Sequence, residues 1–364
     1  MDLALLERTL ADAGEPAFRA RQVWSWAARG AAGYEVMTDV PAGLRARLAG
    51  EVAFSTLDLV EQAHARDGTV KSLFHTADGR PVEAVLMRYP APPASRGKGS
   101  NQSKRRVVGR RSLCLSSQSG CPLTCTFCAT GAMKFGRNLT TSEILDQALH
   151  FRRMLRTAGG GPSSSGRGAG CPAEDSPDHV VFMGMGEPMM NLDNVLSACE
   201  RLPDLGVTHR RTAISTVGWI PGIDRLTQTE MPIRLALSLH AADDALRSQI
   251  MPVNERYPLS DVLAACTRFH AAKRRLVFVE YVLLAGVNDR PAQALALAKV
   301  LDPKVFKVNL IPYNPTGSYD GSSPDAIGAF RAVLEERGLR ATVRLTRGRD
   351  IAAACGQLAV AGSR

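Results

Sequence analysis

The sequence contains no apolar run that approaches the length needed to cross a membrane as a helix. Its N-terminal stretch, MDLALLERTLADAGEPAF, carries Asp2, Glu7 and Asp12 among the leucines, so it lacks the continuous apolar core of a signal peptide. The stretch is instead typical of an amphipathic helix. These absences argue against a membrane protein and a secreted protein, and we expect the chain to be cytoplasmic.

The sequence also lacks closely spaced cysteines outside one short segment. Its 364 residues contain eight cysteines, which does not suggest a disulfide scaffold, and five of them are isolated. These five are Cys114, Cys171, Cys199, Cys266 and Cys355. There is no second Cys-x2-Cys pair and no cluster of cysteine with histidine, so little is available to complete a four-ligand zinc site.

The remaining three cysteines, Cys121, Cys125 and Cys128, lie in the run CPLTCTFC. Structural zinc sites and most iron–sulfur clusters take four protein ligands, so three leave one metal position open for chemistry. The spacing Cys-x3-Cys-x2-Cys resembles the signature of radical S-adenosylmethionine (SAM) enzymes. That resemblance implies a [4Fe–4S] cluster whose fourth iron binds SAM, and reductive cleavage of SAM to a 5′-deoxyadenosyl radical. Half of a zinc site, completed elsewhere in the chain, is the alternative.

The composition favours an anionic partner. The formal net charge is +10, and nucleic acid is the usual partner of such a chain. Residues 91–111 combine proline and serine with a dense basic run. Its basic residues include Lys104, Arg105, Arg106, Arg110 and Arg111. We interpret the segment as a linker, with a phosphate-grasping arm as the alternative, and residues 157–177 as a second loop, of low-complexity Gly/Ser/Pro composition.

Residues 1–90 form a first block of the chain. Two helical patterns and two alternating, strand-like stretches follow one another at 3–13, 18–28, 70–76 and 82–88. We therefore predict a small N-terminal α+β accessory domain that contacts RNA. Trp24 and Trp26 could stack on bases, but aromatic residues at helical spacing more often pack in a core, and we favour the core.

Residues 112–364 show short apolar runs separated by helical patterns, which is typical of parallel strands joined by crossover helices. The runs are 112–116, 179–183, 211–215, 233–239, 276–283, 305–311 and 342–345. They give about six βα units. The predicted fold class is α/β, an incomplete (β/α)6 TIM-like barrel of the radical SAM type that follows the accessory domain.

Polar or glycine-rich residues stand at the ends of four of these runs or directly after them. They are Gly186 and Glu187 in VVFMGMGEP, then Ser215, then Ser238, Leu239 and His240, and finally Asn314. In barrel-type folds the site forms from loops at the carboxyl ends of the strands, so we expect these residues to share one pocket and to contact SAM. Glu187 could hydrogen-bond a cationic amino group. For any one of them, an ordinary satisfied loop residue is the alternative.

Longer motifs make the resemblance specific. The stretches CLSSQSGCPLTCTFCATG, VVFMGMGEPMMN, STVG, SLHA, VNLIPYNP and RGRDIAAACGQL occur in the order found in the RlmN/Cfr family of radical SAM RNA methyltransferases. The N-terminal stretches GEPAFRARQVWSWAARG, MTDVP, DGTVKSLF and PVEAV are similar to the accessory domain of that family. The chain is therefore identified as a member of the family over nearly its whole length, apart from the two loops.

The resemblance assigns roles to three further residues. It implies that one SAM methylates Cys355 and that a second SAM supplies a radical that removes hydrogen from this S-methyl group. The resulting carbon radical would add to adenine and link the enzyme to RNA. Cys114 would then attack the sulfur of the linked cysteine to form a disulfide, and Glu83 would remove the proton from the adduct carbon. Without the resemblance, the default reading is two buried thiols and a solvated carboxylate.

The function that the resemblance implies is methylation of adenosine C2 in 23S rRNA near the peptidyl transferase centre, and of the adenosine 3′ of the anticodon in some tRNAs. It also implies a flavodoxin-type electron donor. Methylation at C8, as in Cfr-like members, is the alternative within the family. From other classes, the alternatives are an iron–sulfur RNA-binding or redox protein without methyl transfer, and radical SAM chemistry on a peptide.

Overall fold

The computed structural model describes residues 1–91, 109–158 and 176–359. Most of the predicted basic linker, including Lys104, Arg105 and Arg106, lies outside the described residues, as does Cys171 with most of the second loop. The boundaries placed at residues 90 and 112 therefore stay predictions. Within the described residues, no helix is both long enough and apolar enough to span a membrane.

Three helices and three antiparallel strands form the N-terminal part. They are α1 (Leu3–Asp12), α2 (Phe18–Ala28), α3 (Ala42–Glu51), β1 (Leu57–His64), β2 (Val70–Thr76) and β3 (Pro81–Arg88). Helix α1 begins where the Asp2 side chain accepts a hydrogen bond from the Leu5 N–H at 3.0 Å, and its buried Leu6 and Leu10 are one turn apart. The predicted helices and strands of this region are present, and α3 and β1 are additions.

Trp24 on α2 lies in the core, where its indole N–H donates to Asp204 at 2.6 Å. Trp26 is partly buried and donates to Asp39, also at 2.6 Å. The core interpretation is therefore confirmed for Trp24. Its bond to Asp204 ties the N-terminal helices to the second half of the chain.

Seven parallel strands form the second part of the sheet. The elements in order are β4 (Arg111–Cys114), β5 (Gln118–Ser119), β6 (Arg137–Asn138), α4 (Thr141–Ala158), β7 (His179–Phe182), α5 (Leu192–Arg201), β8 (Thr212–Thr216), α6 (Ile220–Gln228), β9 (Arg234–Ser238), α7 (Asp244–Ile250), α8 (Leu259–Lys273), β10 (Val277–Leu283), α9 (Pro291–Val300), β11 (Phe306–Pro312), α10 (Pro324–Glu336) and β12 (Ala341–Val343). Strands β5 and β6 form a separate hairpin. A helical crossover joins each successive pair of parallel strands, so the prediction of six βα units in an incomplete barrel is confirmed.

The sheet is continuous from the N-terminal part into the barrel. Its order is β1-β2-β3-β4-β7-β8-β9-β10-β11-β12. Strand β4 is paired on both sides, because Cys114 lies opposite Val85 of β3 in an antiparallel ladder and opposite Val181 of β7 in a parallel one. The N-terminal strands thus fix the position of the strand that leads into the cysteine loop.

Acidification should destabilise the contact between α4 and the N-terminal strands. The Nε2 atom of the largely buried His150 lies 2.9 Å from Gln62 Nε2 and 3.2 Å from Ser72 Oγ. Burial lowers the pKa of His150 to about 4, and the charge of Arg153 acts in the same direction. The unfolded chain takes up a proton on this histidine near pH 6.5, and the folded chain does so only near pH 4. The folded state therefore keeps its full stability above pH 6.5 and loses part of it as the pH falls from 6.5 towards 4.

From this difference we expect His150 to lower the free energy of unfolding by about 2 kcal/mol between pH 7 and pH 5, read as the difference between the wild type and His150→Gln in urea denaturation. Other groups, such as Glu187 with its raised pKa, contribute equally to both proteins and cancel. The variant His150→Gln is the control and should lose most of this dependence. An equal fall in the variant would contradict the assignment to His150.

Candidate active site

The carboxyl ends of the parallel strands open onto one cavity. Its walls come from the loop after β4, from the ends of β7 to β11, and from the C-terminal segment around Cys355. The predicted site residues that line it are Cys121, Cys125, Cys128, Gly186, Glu187, Ser215, Ser238, His240 and Cys355. The structure therefore brings most of the predicted residues to one place. We call this space the cluster cavity.

Backbone hydrogen bonds fix the loop that carries Cys121, Cys125 and Cys128. The Cys128 N–H donates to the Cys125 carbonyl at 3.1 Å, and the Thr126 N–H donates to the Ile250 carbonyl at 3.1 Å. Gly131 lets the chain turn back closely, since a Cβ there would lie 2.8 Å from the Cys125 carbonyl oxygen. The three thiols are thereby held on the wall of the cluster cavity.

The environment of these thiols opposes their ionisation in the absence of a cation. Burial raises the pKa of Cys121 to about 12 and that of Cys125 well above its ordinary value. The neighbouring cysteines and Glu187 raise both further, because like charges repel one another. A metal centre that ligates these sulfurs must therefore displace their protons, which a polynuclear iron cluster does.

The number of thiols suits an iron–sulfur cluster with one open position. Three cysteines lie on the wall of the cluster cavity, and each can bind one iron of a [4Fe–4S] cluster. The fourth iron is then left without a thiolate ligand and is free to bind SAM. The donor set therefore fits the predicted cluster.

Glu187 is a buried carboxylate on the wall of the cluster cavity. Its two oxygens accept backbone hydrogen bonds from Met189 and Val217, each at 3.0 Å. Burial nevertheless raises the pKa of Glu187 to about 7, and no cationic side chain in the described part of the chain pairs with it. A carboxylate in this state fits the amino group of an amino-acid ligand, which would supply the missing positive charge.

Two glycines before Glu187 allow this close packing. Gly186 has φ of +91°, and a Cβ there would collide with the side chain of Gln118. At Gly184 a Cβ would lie 2.5 Å from Ser116 Oγ. Gln118 in turn accepts the backbone N–H of Glu187 at 2.8 Å. The glycine-rich segment after β7 thus allows Glu187 to pack against strand β5 of the hairpin.

Ser215, Ser238 and His240 lie on the same cavity at the ends of neighbouring strands. The two serine hydroxyls are 3.3 Å apart. His240 has φ of +61°, and its Nδ1 accepts the Val282 N–H at 3.0 Å, which leaves the ring proton on Nε2. Burial lowers the pKa of His240 to about 3, so the ring is a neutral donor that can bind an acceptor atom of a ligand.

Two predicted SAM contacts lie elsewhere. Leu239 is fully buried in the main core, its N–H donates to Glu280 and its carbonyl accepts from Ala241 and Arg247. Asn314 donates to the Cys355 carbonyl at 3.2 Å, and its Oδ1 is buried without a partner. The structure therefore places Leu239 away from the cavity, and places Asn314 after β11 in contact with the segment that carries Cys355.

Cys114 and Cys355 line a second cavity, which we call the resolving cavity. Both are free thiols. Cys355 also lines the cluster cavity, so its side chain lies on the wall that the two cavities share. Cys355 is an exposed residue and is shared by the linings of both cavities.

Arg344 is one of two arginines that line the resolving cavity, and the other is Arg347. The Nη1 atom of Arg344 lies 3.3 Å from Glu280 Oε2. Burial opposes its charge, but Glu280, Cys355, Tyr89 and Cys114 outweigh burial, so the pKa of Arg344 is raised. For Cys114, burial is the largest effect and raises the pKa to about 12, with Cys355 adding to it and Arg344 opposing it. Arg344 thus favours the thiolate of Cys114 that disulfide formation needs.

Glu83 is buried on β3 and lines neither the cluster cavity nor the resolving cavity. Its Oε1 is 2.9 Å from Lys71 Nζ, whereas its Oε2 is buried without a hydrogen-bond partner. Burial raises the pKa of Glu83, while Lys71 and the nearby Ala359 backbone lower it and Glu61 raises it. The sequence-based reading of a solvated carboxylate is therefore wrong.

Sequence reasoning missed three residues that organise these cavities, namely Lys71, Gln118 and Arg344. Lys71 lies in DGTVKSLF, a stretch that resembles the family but carries no single recognisable signal. Arg344 directly follows β12, so its position at a strand end was the signal that could have found it. Gln118 lies in the hairpin strand β5, too short to predict from a pattern.

The chain is similar to known proteins over its whole length. Residues 1–53 match the family described as the ribosomal RNA large subunit methyltransferase N-terminal domain. The chain is 44% identical to a probable dual-specificity RNA methyltransferase RlmN of Chloroflexus aurantiacus, over 98% of this chain and 91% of the relative. The chain belongs to the RlmN family of dual-specificity RNA methyltransferases. A second member, RlmN of Anaeromyxobacter dehalogenans, is 41% identical over 98% of this chain and 90% of its own length.

A solved structure agrees with this membership of the RlmN family. The crystal structure of a radical SAM methyltransferase from Sphaerobacter thermophilus matches with a TM-score of 0.84 and 40% identity, over 98% of this chain and 97% of the other. The predicted family, the partial-barrel fold and the enzyme class, a radical SAM RNA methyltransferase, are confirmed. The cofactors of that class, SAM and a [4Fe–4S] cluster, are those that the cysteine motif predicted.

Proposed function

We propose that this RlmN-family protein methylates C2 of an adenosine in 23S rRNA near the peptidyl transferase centre, and of the adenosine 3′ of the anticodon in some tRNAs. The observation that carries the proposal is the position of Cys355, which lines both the cluster cavity and the resolving cavity. A carbon carried on this sulfur can be reached from both sides. The names of the relatives favour this function over the Cfr-like methylation of C8.

In this proposal the cluster cavity holds both cofactors. Cys121, Cys125 and Cys128 ligate three irons, and Glu187 binds the amino group of SAM. The hydroxyls of Ser215 and Ser238 and the Nε2–H of His240 contact the rest of SAM. When bound there, the cluster and SAM supply a carbon radical that removes hydrogen from a methyl group. A ring carbon of adenosine is too electron-poor to attack a SAM methyl group directly, which makes a radical route necessary.

Two thiols of the resolving cavity, together with Glu83 on the adjacent strand β3, complete the reaction. Cys355 holds the carbon that becomes bonded to adenine, and Glu83 takes the proton from the adduct carbon. The unpaired electron that the radical leaves on the adduct would pass to the bound cluster, which would restore the aromatic ring of the base. The Cys114 thiolate then attacks the Cys355 sulfur. An S–S bond forms as the C–S bond breaks, and the methylated base leaves with that electron pair and takes up a proton. The resulting disulfide must be reduced before the next turnover.

Electron supply and location complete the proposal. A flavodoxin-type protein supplies the electron for SAM cleavage, and the enzyme acts in the cytoplasm, where its RNA substrates are. The basic charge of the chain suits these anionic partners.

A SAM-dependent assay after anaerobic reconstitution tests the function. The substrates are fragments of 23S rRNA and unmodified tRNA, and the product nucleosides are separated by mass spectrometry. We expect 2-methyladenosine in both RNAs. Formation of 8-methyladenosine would show the Cfr-like activity. A protein that binds RNA and its cluster but transfers no methyl group would be the redox or binding protein, and methylation of a peptide alone would exclude RNA as substrate.

Replacing Cys125 by alanine should remove the cluster. Roughly four irons per chain are expected in the reconstituted protein, and fewer than half of these in the variant, because two thiolates do not hold a cluster stably. Iron analysis and the visible absorption spectrum measure this. Cys266→Ala, at a buried cysteine on α8, is the control and should keep the cluster. Full iron content in Cys125→Ala would contradict the ligand assignment.

A further inference from the structure

Lys71 connects the carboxylate of Glu83 to the segment that carries Cys355. Its Nζ lies 2.9 Å from Glu83 Oε1 and donates to the Ala352 carbonyl at 3.3 Å. Ala352 is three residues before Cys355. A single ammonium group therefore contacts the proposed base and the chain segment of the proposed methyl carrier.

The strand register explains how these groups meet. Lys71 on β2 lies opposite Val85 on β3, and Val85 lies opposite Cys114 on β4. Glu83 is two residues from Val85, so it projects from the same face of the sheet. Lys71, Glu83 and Cys114 thus lie on one face of three adjacent strands. The segment around Ala353 and Leu358 packs against this face, in contact with Val85.

The electrostatics of Glu83 depend on Lys71. Only 3% of the Glu83 side chain is exposed, and burial disfavours its charge. Lys71 is the cation that offsets this, while Glu61 across the sheet opposes ionisation. Because Lys71 occupies Oε1, the buried and unpartnered Oε2 is the oxygen left to accept a proton.

The bond to Ala352 stabilises a strained turn. Ala352 has φ of +49°, in the left-handed region that costs a non-glycine residue about 1 kcal/mol. The turn lies between Gly348 and Gly356, which also have positive φ. Lys71 holds the carbonyl at the centre of this segment, and Asn314 holds the carbonyl of Cys355. The same ammonium group that orients Glu83 thus also contacts the segment that carries Cys355. This segment is held independently of Lys71 by Asn314 and by the Ala129 N–H, which donates to the Gly356 carbonyl at 2.8 Å.

We propose that Lys71 is a positioning residue that holds Glu83 Oε1, leaves Oε2 to take the proton from the adduct carbon, and joins this carboxylate to the Cys355 segment through the Ala352 carbonyl. The inference rests on the proposed function, in which Glu83 is the base. Lys71 contacts neither SAM nor RNA in this assignment. Its effect falls on the resolution of the enzyme–RNA adduct.

The test compares Lys71→Met, Lys71→Arg and Glu83→Gln with the full-length, reconstituted enzyme in single-turnover reactions from pH 6 to pH 9. Adduct formation and release are followed separately on denaturing gels. We expect Lys71→Met to form the adduct at close to the normal rate but to release it about tenfold more slowly near pH 7. The acid limb of its release profile is the pH range in which the release rate falls as the pH falls. It should move up by about one pH unit, because loss of the cation raises the pKa of Glu83. Lys71→Arg keeps the charge and should keep the limb.

The possible results distinguish the two proposals. A normal release rate and pH profile in Lys71→Met would overturn the role of Lys71, and so would equal slowing of formation and release without a shift of the limb. Normal release in Glu83→Gln would overturn the base assignment and with it the role of Lys71, whereas absence of methylated adenosine in the wild type would overturn the proposed function itself. If Lys71→Met does not fold, Lys71→Gln and Lys71→Arg are compared instead. An acid limb that is shifted in Lys71→Gln but not in Lys71→Arg supports the role of Lys71. The same pH profile in both variants overturns it.

Discussion

Replacing Cys355 by alanine should abolish methyl transfer while RNA binding is retained. Cys355 carries the only thiol that lines both the cluster cavity and the resolving cavity in the described part of the chain. Without it there is no sulfur to carry the methyl carbon, and no other described thiol lines both cavities. We expect turnover to fall by at least about 10³-fold, to background. Transfer of labelled methyl groups from SAM to tRNA measures this, and gel-shift titration measures RNA affinity.

The control for this variant is Cys199→Ala, which removes a thiol buried in the core on α5, far from either cavity lining. It should keep most of the activity and lose only some stability. Retention of a tenth or more of normal turnover in Cys355→Ala would exclude a covalent carrier. Equal loss of RNA binding would indicate a structural role for the residue instead.

Replacing Cys114 by alanine should trap the enzyme on its RNA. The Cys355 adduct would still form, since Cys114 lies outside the cluster cavity, but no thiol would attack the linked sulfur. We expect a covalent enzyme–RNA species that persists on a denaturing gel and is removed by ribonuclease. Its amount should approach one per active enzyme, while product falls to background.

The double variant Cys114→Ala with Cys355→Ala is the matched control and should show no covalent species. An adduct in the double variant would show that another residue forms the link. Normal turnover without any adduct in Cys114→Ala would show that release does not use this thiol. Either result would contradict the proposed path through the resolving cavity.

Much of the site could be predicted because its chemistry is local in sequence. The three cluster cysteines lie within eight positions, so their shared location needed no knowledge of the fold. Glu187, Ser215 and His240 follow predictable buried strands, and parallel strands bring their carboxyl ends together. The order of elements was predictable for the same reason, since each strand and helix has its own periodicity.

The remaining features depend on contacts that are distant along the chain. Leu239 directly follows Ser238, the last residue of β9, but its side chain is buried in the core. The burial of Glu83 requires β3 to pair between β2 and β4, and the latter partner comes after the basic segment. Its contact with Lys71 depends on the register between β2 and β3, which no local pattern shows. No local pattern records that Asn314 holds the Cys355 carbonyl.

The shared sheet also bears on engineering of this enzyme. Strand β4 receives hydrogen bonds from β3 on one side and β7 on the other. A shortened protein without its first three strands would expose the backbone donors and acceptors of β4, which invites aggregation. The barrel is therefore not a transplantable module. A chimera between two relatives should take β1 to β4 from one parent, so that the ladder beside Cys114 remains native.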